Sequence, residues 1–104
     1  MVDAGPIEHF PLGEGRVVMA GGMRIALFRT RAGDVFATQA ACPHKGGPLT
    51  DGLLGGWTVM CPLHEYRFDL RDGAPVGNGC AALRTYPALI DRSGHVQIEV
   101  KPDE

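Results

Sequence analysis

Fifteen glycines and eight prolines are spread through 104 residues, so few stretches run far without a turn-former or a helix-breaker. Inside a helix a glycine costs about 1 kcal/mol and a proline about 3 kcal/mol. The chain is therefore restricted to short extended segments joined by turns. Its apolar residues agree. "RVVMAGGMRIALFRT" reads as two strands, residues 16–19 and 23–30, forming a hairpin across Gly21 and Gly22. "RAGD" turns the chain into a third strand, residues 35–39. Residues 42–56 read as loop, rich in glycine and broken by Pro43 and Pro48. "WTVM" is a short strand leading into Cys61, and "YRFDL" is another, stopped by the turn "RDGAP". "LRTYPALI" and "HVQIEV" form a second hairpin around "DRSG". No segment keeps a 3.6-residue period, and neither a repeat nor a linker is evident. The expected fold is all-β, a small antiparallel sandwich or barrel, with residues 1–104 as one domain.

Charge narrows the partners. The formal net charge is -2 and there is no run of lysine or arginine, which argues against nucleic acid. No window approaches the roughly 18 apolar residues of a membrane span. The first fifteen residues carry Asp3, Glu8 and Glu14 and no signal-type apolar stretch. A cytoplasmic protein that uses no membrane is expected. Three cysteines, an odd number, in a reducing compartment argue against a disulfide framework and favour a metal or catalytic role.

The chemistry-bearing residues fall into two matched pairs. Cys42-x-His44 is followed, after sixteen residues, by Cys61-x-x-His64, each pair in a proline-containing loop after a strand. Three readings compete. The residues are unrelated; or they bind structural zinc, for which two cysteines and two histidines are a familiar set; or they hold two irons, one by thiolates and the other by imidazoles. Zinc fingers usually pair cysteine with cysteine and histidine with histidine along the chain. Here each loop carries one of each, which suits a two-iron cluster gripped between two loop tips.

The two motifs, with "CPHKGGPL" and "CPLHEYRFDL" around them, resemble the Rieske signature, and the similarity runs from about Gly15 to Val100. The resemblance implies a Rieske-type domain carrying one [2Fe-2S] cluster, with a cluster-binding part at about residues 40–78. It implies that Cys42 and Cys61 hold the inner iron and that His44 and His64 hold the outer one. Pro43, Lys45, Gly46, Gly47, Pro62, Leu63 and Tyr66 would then line the cluster loops. Respiratory members of the family join the two loops by a disulfide; Gly47 and Leu63 occupy those positions here, so that bridge cannot form. They also place a serine and a tyrosine whose hydroxyls donate to the cluster, where this chain has Tyr66 and Phe68. Without those donors the resemblance implies a potential toward the low end of the Rieske range, about -150 mV.

Two groups of partner fit. "FDLRDG" and the Gly79-Cys80 pair before "TYP" are similar to the small subunit of assimilatory NAD(P)H-dependent nitrite reductase. That resemblance implies a large sirohaem- and flavin-containing reductase subunit as partner. The alternative is a Rieske ferredoxin carrying electrons from a flavin reductase to an aromatic-ring-hydroxylating dioxygenase. A different class, a zinc-stabilised or cluster-free interaction module, stays open. The chain alone is not expected to be catalytic, because it has no GxGxxG motif after a strand and no second cysteine set. Glu65 and Arg67, beside His64, are candidates for docking a partner or simply a solvated face. Cys80 reads as a small buried hydrophobe, His9 and His95 as solvated, and Phe28, Phe36, Trp57 and Phe68 as core.

Overall fold

A computed structural model describes residues 1–43, 46–62, 66–77, 79 and 81–100. Its strands are β1 (Val2–Pro6), β2 (Glu14–Ala20), β3 (Met23–Arg29), β4 (Val35–Gln39), β5 (Leu53–Gly55), β6 (Thr58–Met60), β7 (Arg67–Asp69), β8 (Pro75–Val76), β9 (Thr85–Tyr86), β10 (Ala88–Ile90) and β11 (His95–Ile98). Short 3-10 turns cover Ile7–His9 and Leu49–Asp51. The all-β expectation holds, with the strands in three antiparallel sheets ordered β1-β11-β10, β2-β3-β4-β9 and β5-β6-β7-β8.

The sheet containing β3 is the middle layer. Ile25 and Leu27 pack with Ala37, Val96 and Ile98 toward the β1-β11-β10 sheet. Ala26 and Phe28 point the other way, into a cluster with Val59, Phe68 and Leu70 of the β5-to-β8 sheet. Successive side chains of a strand leave opposite faces. A strand buried on both faces therefore reads as an unbroken apolar run, and "IALF" is fully buried throughout. Fully burying each of its larger side chains contributes about 1.5–3 kcal/mol.

The hairpin of β2 and β3 and the strand β4 lie where the sequence indicates, with Ala20 opposite Met23 across the Gly21-Gly22 turn. Other segments differ. "LRTYPALI" is not one strand. β9 pairs with β4 in the middle sheet, and β10 pairs with β11 in the outer one. Between them lies Pro87, which has no N–H to continue a ladder. "VDAGP" forms the edge strand β1 against β11, with a register shift between Asp3 and Gly5. The segment read as loop over residues 42–56 contains a 3-10 turn and β5, and the turn after "YRFDL" leads into β8, which pairs with β7.

Trp57 is not core: it is 47% exposed at the β5–β6 turn, with the Arg71 guanidinium 4.6 Å from its ring centroid. Arg71 is held there by Asp69, 2.8 Å away. Phe36 is only half-buried, whereas Phe28 and Phe68 are core. His95 is not simply solvated, since its Nδ1 lies 3.0 Å from Asp3 Oδ2 and ties β11 to β1. His9 is exposed. No helix of the described residues is long and apolar enough to cross a membrane.

Candidate metal centre

The two candidate thiols sit at the ends of parallel pieces of architecture. β4 runs into Cys42, and the loop after it closes on itself. The Cys42 amide donates to the Gly47 carbonyl (2.8 Å), and the Gly46 amide donates back to the Cys42 carbonyl (2.8 Å). Gly46 has φ +72°, a left-handed conformation that a side chain would strain. Below the loop, Ala41 bridges to Pro48, and the Leu49 amide donates to Ala40.

β6 runs into Cys61 in the same way, and the Cys61 amide donates to the Tyr66 carbonyl (2.7 Å), where the chain turns into β7. Both cysteines thus stand at the closing pair of a loop, just beyond the ends of β4 and β6. Such placement fixes a ligand better than a mobile loop does.

Both are buried, Cys42 at 3% and Cys61 at 1% exposure, and neither is in a disulfide. They belong to one apolar cluster with Ala26, Phe28, Leu49, Val59 and Phe68, and the half-buried Tyr66 packs against it. The fold therefore places two cysteines, nineteen positions apart in sequence, in one buried cluster. Two buried thiols are a soft donor pair that, deprotonated on binding, suits iron or zinc. The residues present fit a two-thiolate site for a cluster. His44, Lys45, Leu63, His64 and Glu65 lie outside the described residues, as does Cys80. Arg67 is exposed at the start of β7, next to the second loop.

One contributor carries no motif. The Gln39 side chain accepts from the Arg84 amide (2.7 Å) and donates to the Ala41 carbonyl (2.7 Å), one residue before Cys42. It pins the first loop to the segment that enters β9. A polar residue at the end of a strand gives no such signal in the sequence, because its partner lies 45 residues away.

The neighbours of this chain point the same way. The sequence pattern of the Rieske [2Fe-2S] domain matches residues 1–87. The ferredoxin component of the naphthalene 1,2-dioxygenase/salicylate 5-hydroxylase systems of Ralstonia sp. is 34% identical over 94 residues, which is 86% of each chain. Among solved structures, a proposed NADH-dependent nitrite reductase small subunit from Mycobacterium tuberculosis superposes with a TM-score of 0.87 at 27% identity. The match covers 96% of this chain and 95% of that one. The Sphingomonas yanoikuyae B1 ferredoxin gives 0.84 at 29% identity, over 96% and 98%. Matched over residues 1–87, well over half of its length, the chain belongs to the Rieske [2Fe-2S] domain family, and the domain implies one two-iron cluster of the Rieske type.

Proposed function

We propose that the chain is a one-electron carrier in which Cys42 and Cys61 hold one iron and His44 and His64 the other. On this reading residues 1–104 are one domain with its cluster-binding part at about residues 40–78. The observation that carries it is the burial of both thiols in one apolar cluster at the closing pairs of two loops. When bound, the cluster supplies one-electron oxidation and reduction, with its irons fully ligated and no position open to substrate. The protein's own residues do the rest. Phe28, Leu49, Val59 and Phe68 keep water from the sulfurs. The Cys42–Gly47 and Cys61–Tyr66 hydrogen bonds hold the two loops in shape, so little reorganisation accompanies a change of charge. Arg67, exposed at the start of β7, and Glu65, two positions before it in sequence, are the residues proposed to meet a redox partner at the second loop. The cytoplasm is the compartment in which such thiols stay reduced for metal binding.

We assign the chain to an NAD(P)H-dependent nitrite reductase as its small subunit, supported by the TM-score of 0.87 to a proposed subunit of that kind and by the Gly79-Cys80 mark before "TYP". A second reading, a ferredoxin between a flavin reductase and a ring-hydroxylating dioxygenase, is favoured by the 34% identity to a dioxygenase ferredoxin component over 86% of the chain. Reconstitution separates them. The reduced protein is mixed either with a sirohaem- and flavin-containing large subunit or with an oxygenase, and its reoxidation is followed in the visible range. Turnover-linked reoxidation by the large subunit supports the first reading; reoxidation by the oxygenase alone overturns it in favour of the second.

A further inference from the structure

The face of the middle sheet that buries Ala26 and Phe28 with the two cysteines does not end where the loops cover it. Across the β2–β3 ladder Val17 is opposite Ala26, and Met19 is opposite Arg24, so these side chains share that face. Val17 is 40% and Met19 63% exposed. Between this face and the first cysteine loop lies a groove of about 370 Å³ lined by Val17, Arg24, Gln39, Ala41, Gly46 and Pro48. Space is open above Gly46, where an added Cβ would meet nothing within 4 Å.

The charges around it are one-sided. Arg24 is exposed, and its side chain forms no ion pair or hydrogen bond among the described residues. None of the described lining residues is acidic. The chain nonetheless carries a net charge of -2. Carboxylates gather elsewhere, as with Asp3, Asp91 and Glu99 on the outer β1-β11-β10 sheet and its flanks.

We infer that this groove is a docking surface for an acidic redox partner, a protein that presents an apolar side chain to Val17 and Met19 and a carboxylate to Arg24. The inference rests on the electron-carrier reading above and adds to it the side of approach and the charge of the partner. Docking here puts the partner against the loop that carries Cys42, one of the two loops proposed to hold the cluster. A cation such as Arg24 beside an apolar patch steers such an encounter, and its effect fades with salt.

The probe is a gold electrode coated with a mixed monolayer of carboxylate- and methyl-terminated alkanethiols, which offers the chemistry assigned to the partner. Interfacial electron-transfer rates are measured by voltammetry on the cluster-loaded protein, for the wild type and for Arg24→Glu, Met19→Glu and Arg92→Glu. Arg92 is exposed in the turn between β10 and β11 and serves as control for the same change in net charge. Arg24→Glu and Met19→Glu are expected to slow transfer at least about threefold at low salt, the scale of an exposed ion pair. Raising salt to about 1 M, where the Debye length is about 3 Å, is expected to close the gap for Arg24→Glu. Arg92→Glu is expected to transfer like the wild type. Visible bands intact but Arg24→Glu as fast as Arg92→Glu overturns the docking surface and leaves the carrier reading standing. A wild type with neither visible bands nor a voltammetric wave overturns the carrier reading, and this inference with it.

Discussion

Gln39 and Arg84 are tied twice: the Gln39 amide donates to the Arg84 carbonyl (2.9 Å), and the Arg84 amide donates to the Gln39 side-chain oxygen (2.7 Å). The same side chain then holds Ala41, the residue before Cys42. Replacing Gln39 by Ala removes both side-chain hydrogen bonds, at about 0.5–1.5 kcal/mol each. The variant is expected to fold, to melt slightly earlier and to lose iron to a chelator faster than the wild type. Unchanged iron release would show that Gln39 does not position the first loop.

Gly52 follows the 3-10 turn Leu49–Asp51, and a Cβ there would run into the carbonyl of Met60, the residue before Cys61. Its φ of -76° suits any residue, so space and not backbone conformation selects glycine. Gly52→Ala is expected to cost about 1–3 kcal/mol, the range for overpacking, and to lower cluster occupancy by displacing the end of β6. Thermal melts together with iron content check this; a variant with wild-type values on both would contradict it.

Phe68 is fully buried beside Cys61 in the thiol cluster and has no hydroxyl to donate. Apolar surroundings disfavour the more negative, reduced state, and missing donors do so too. The midpoint potential is expected near the low end of the family's range, about -150 mV. Spectroelectrochemical titration measures it directly, and a value well above zero would contradict this account of the surroundings.

Two carboxylates hold the outer sheet. Asp91 accepts from the Ser93 amide and hydroxyl, the His95 amide and the Gln97 side chain. Led by the Ser93 hydroxyl, these bonds hold its pKa far below the usual carboxylate value. Asp3 is lowered first by the Gly5 amide and then by His95. A folded pKa below the unfolded one means that the contribution is complete above the unfolded value, about 3.9. It is lost as pH falls through the folded one. Asp91→Ala is therefore expected to melt below the wild type at pH 7, with the gap narrowing as pH drops below about 4. Melts from pH 7 to pH 2 test this, and a gap independent of pH would refute the linkage.

What the sequence made legible and what it hid have physical causes. The β2–β3 hairpin and β4 are marked by local signals, a Gly-Gly turn and an apolar run, and these lie where expected. The proposed ligand pairs are likewise a local pattern, and the fold brings Cys42 and Cys61 into one cluster. Hidden were features set by distant partners. "VDAGP" becomes a strand only because β11 supplies an edge, and "LRTYPALI" splits because its halves belong to different sheets. Trp57 is large and apolar, yet it lies at a turn, where Arg71 covers its ring and the core does not. Arg24 stands out only when its sheet face is seen to continue from the one that buries the cysteines.

The most direct test of the central claim is the iron and acid-labile sulfide content of protein purified without oxygen, read beside its visible spectrum before and after reduction. Two irons and two sulfides per chain are expected, with bands that bleach on reduction and are lost in Cys42→Ser and Cys61→Ser. A colourless protein containing zinc or no stoichiometric metal, or bands that survive both substitutions, would contradict that claim.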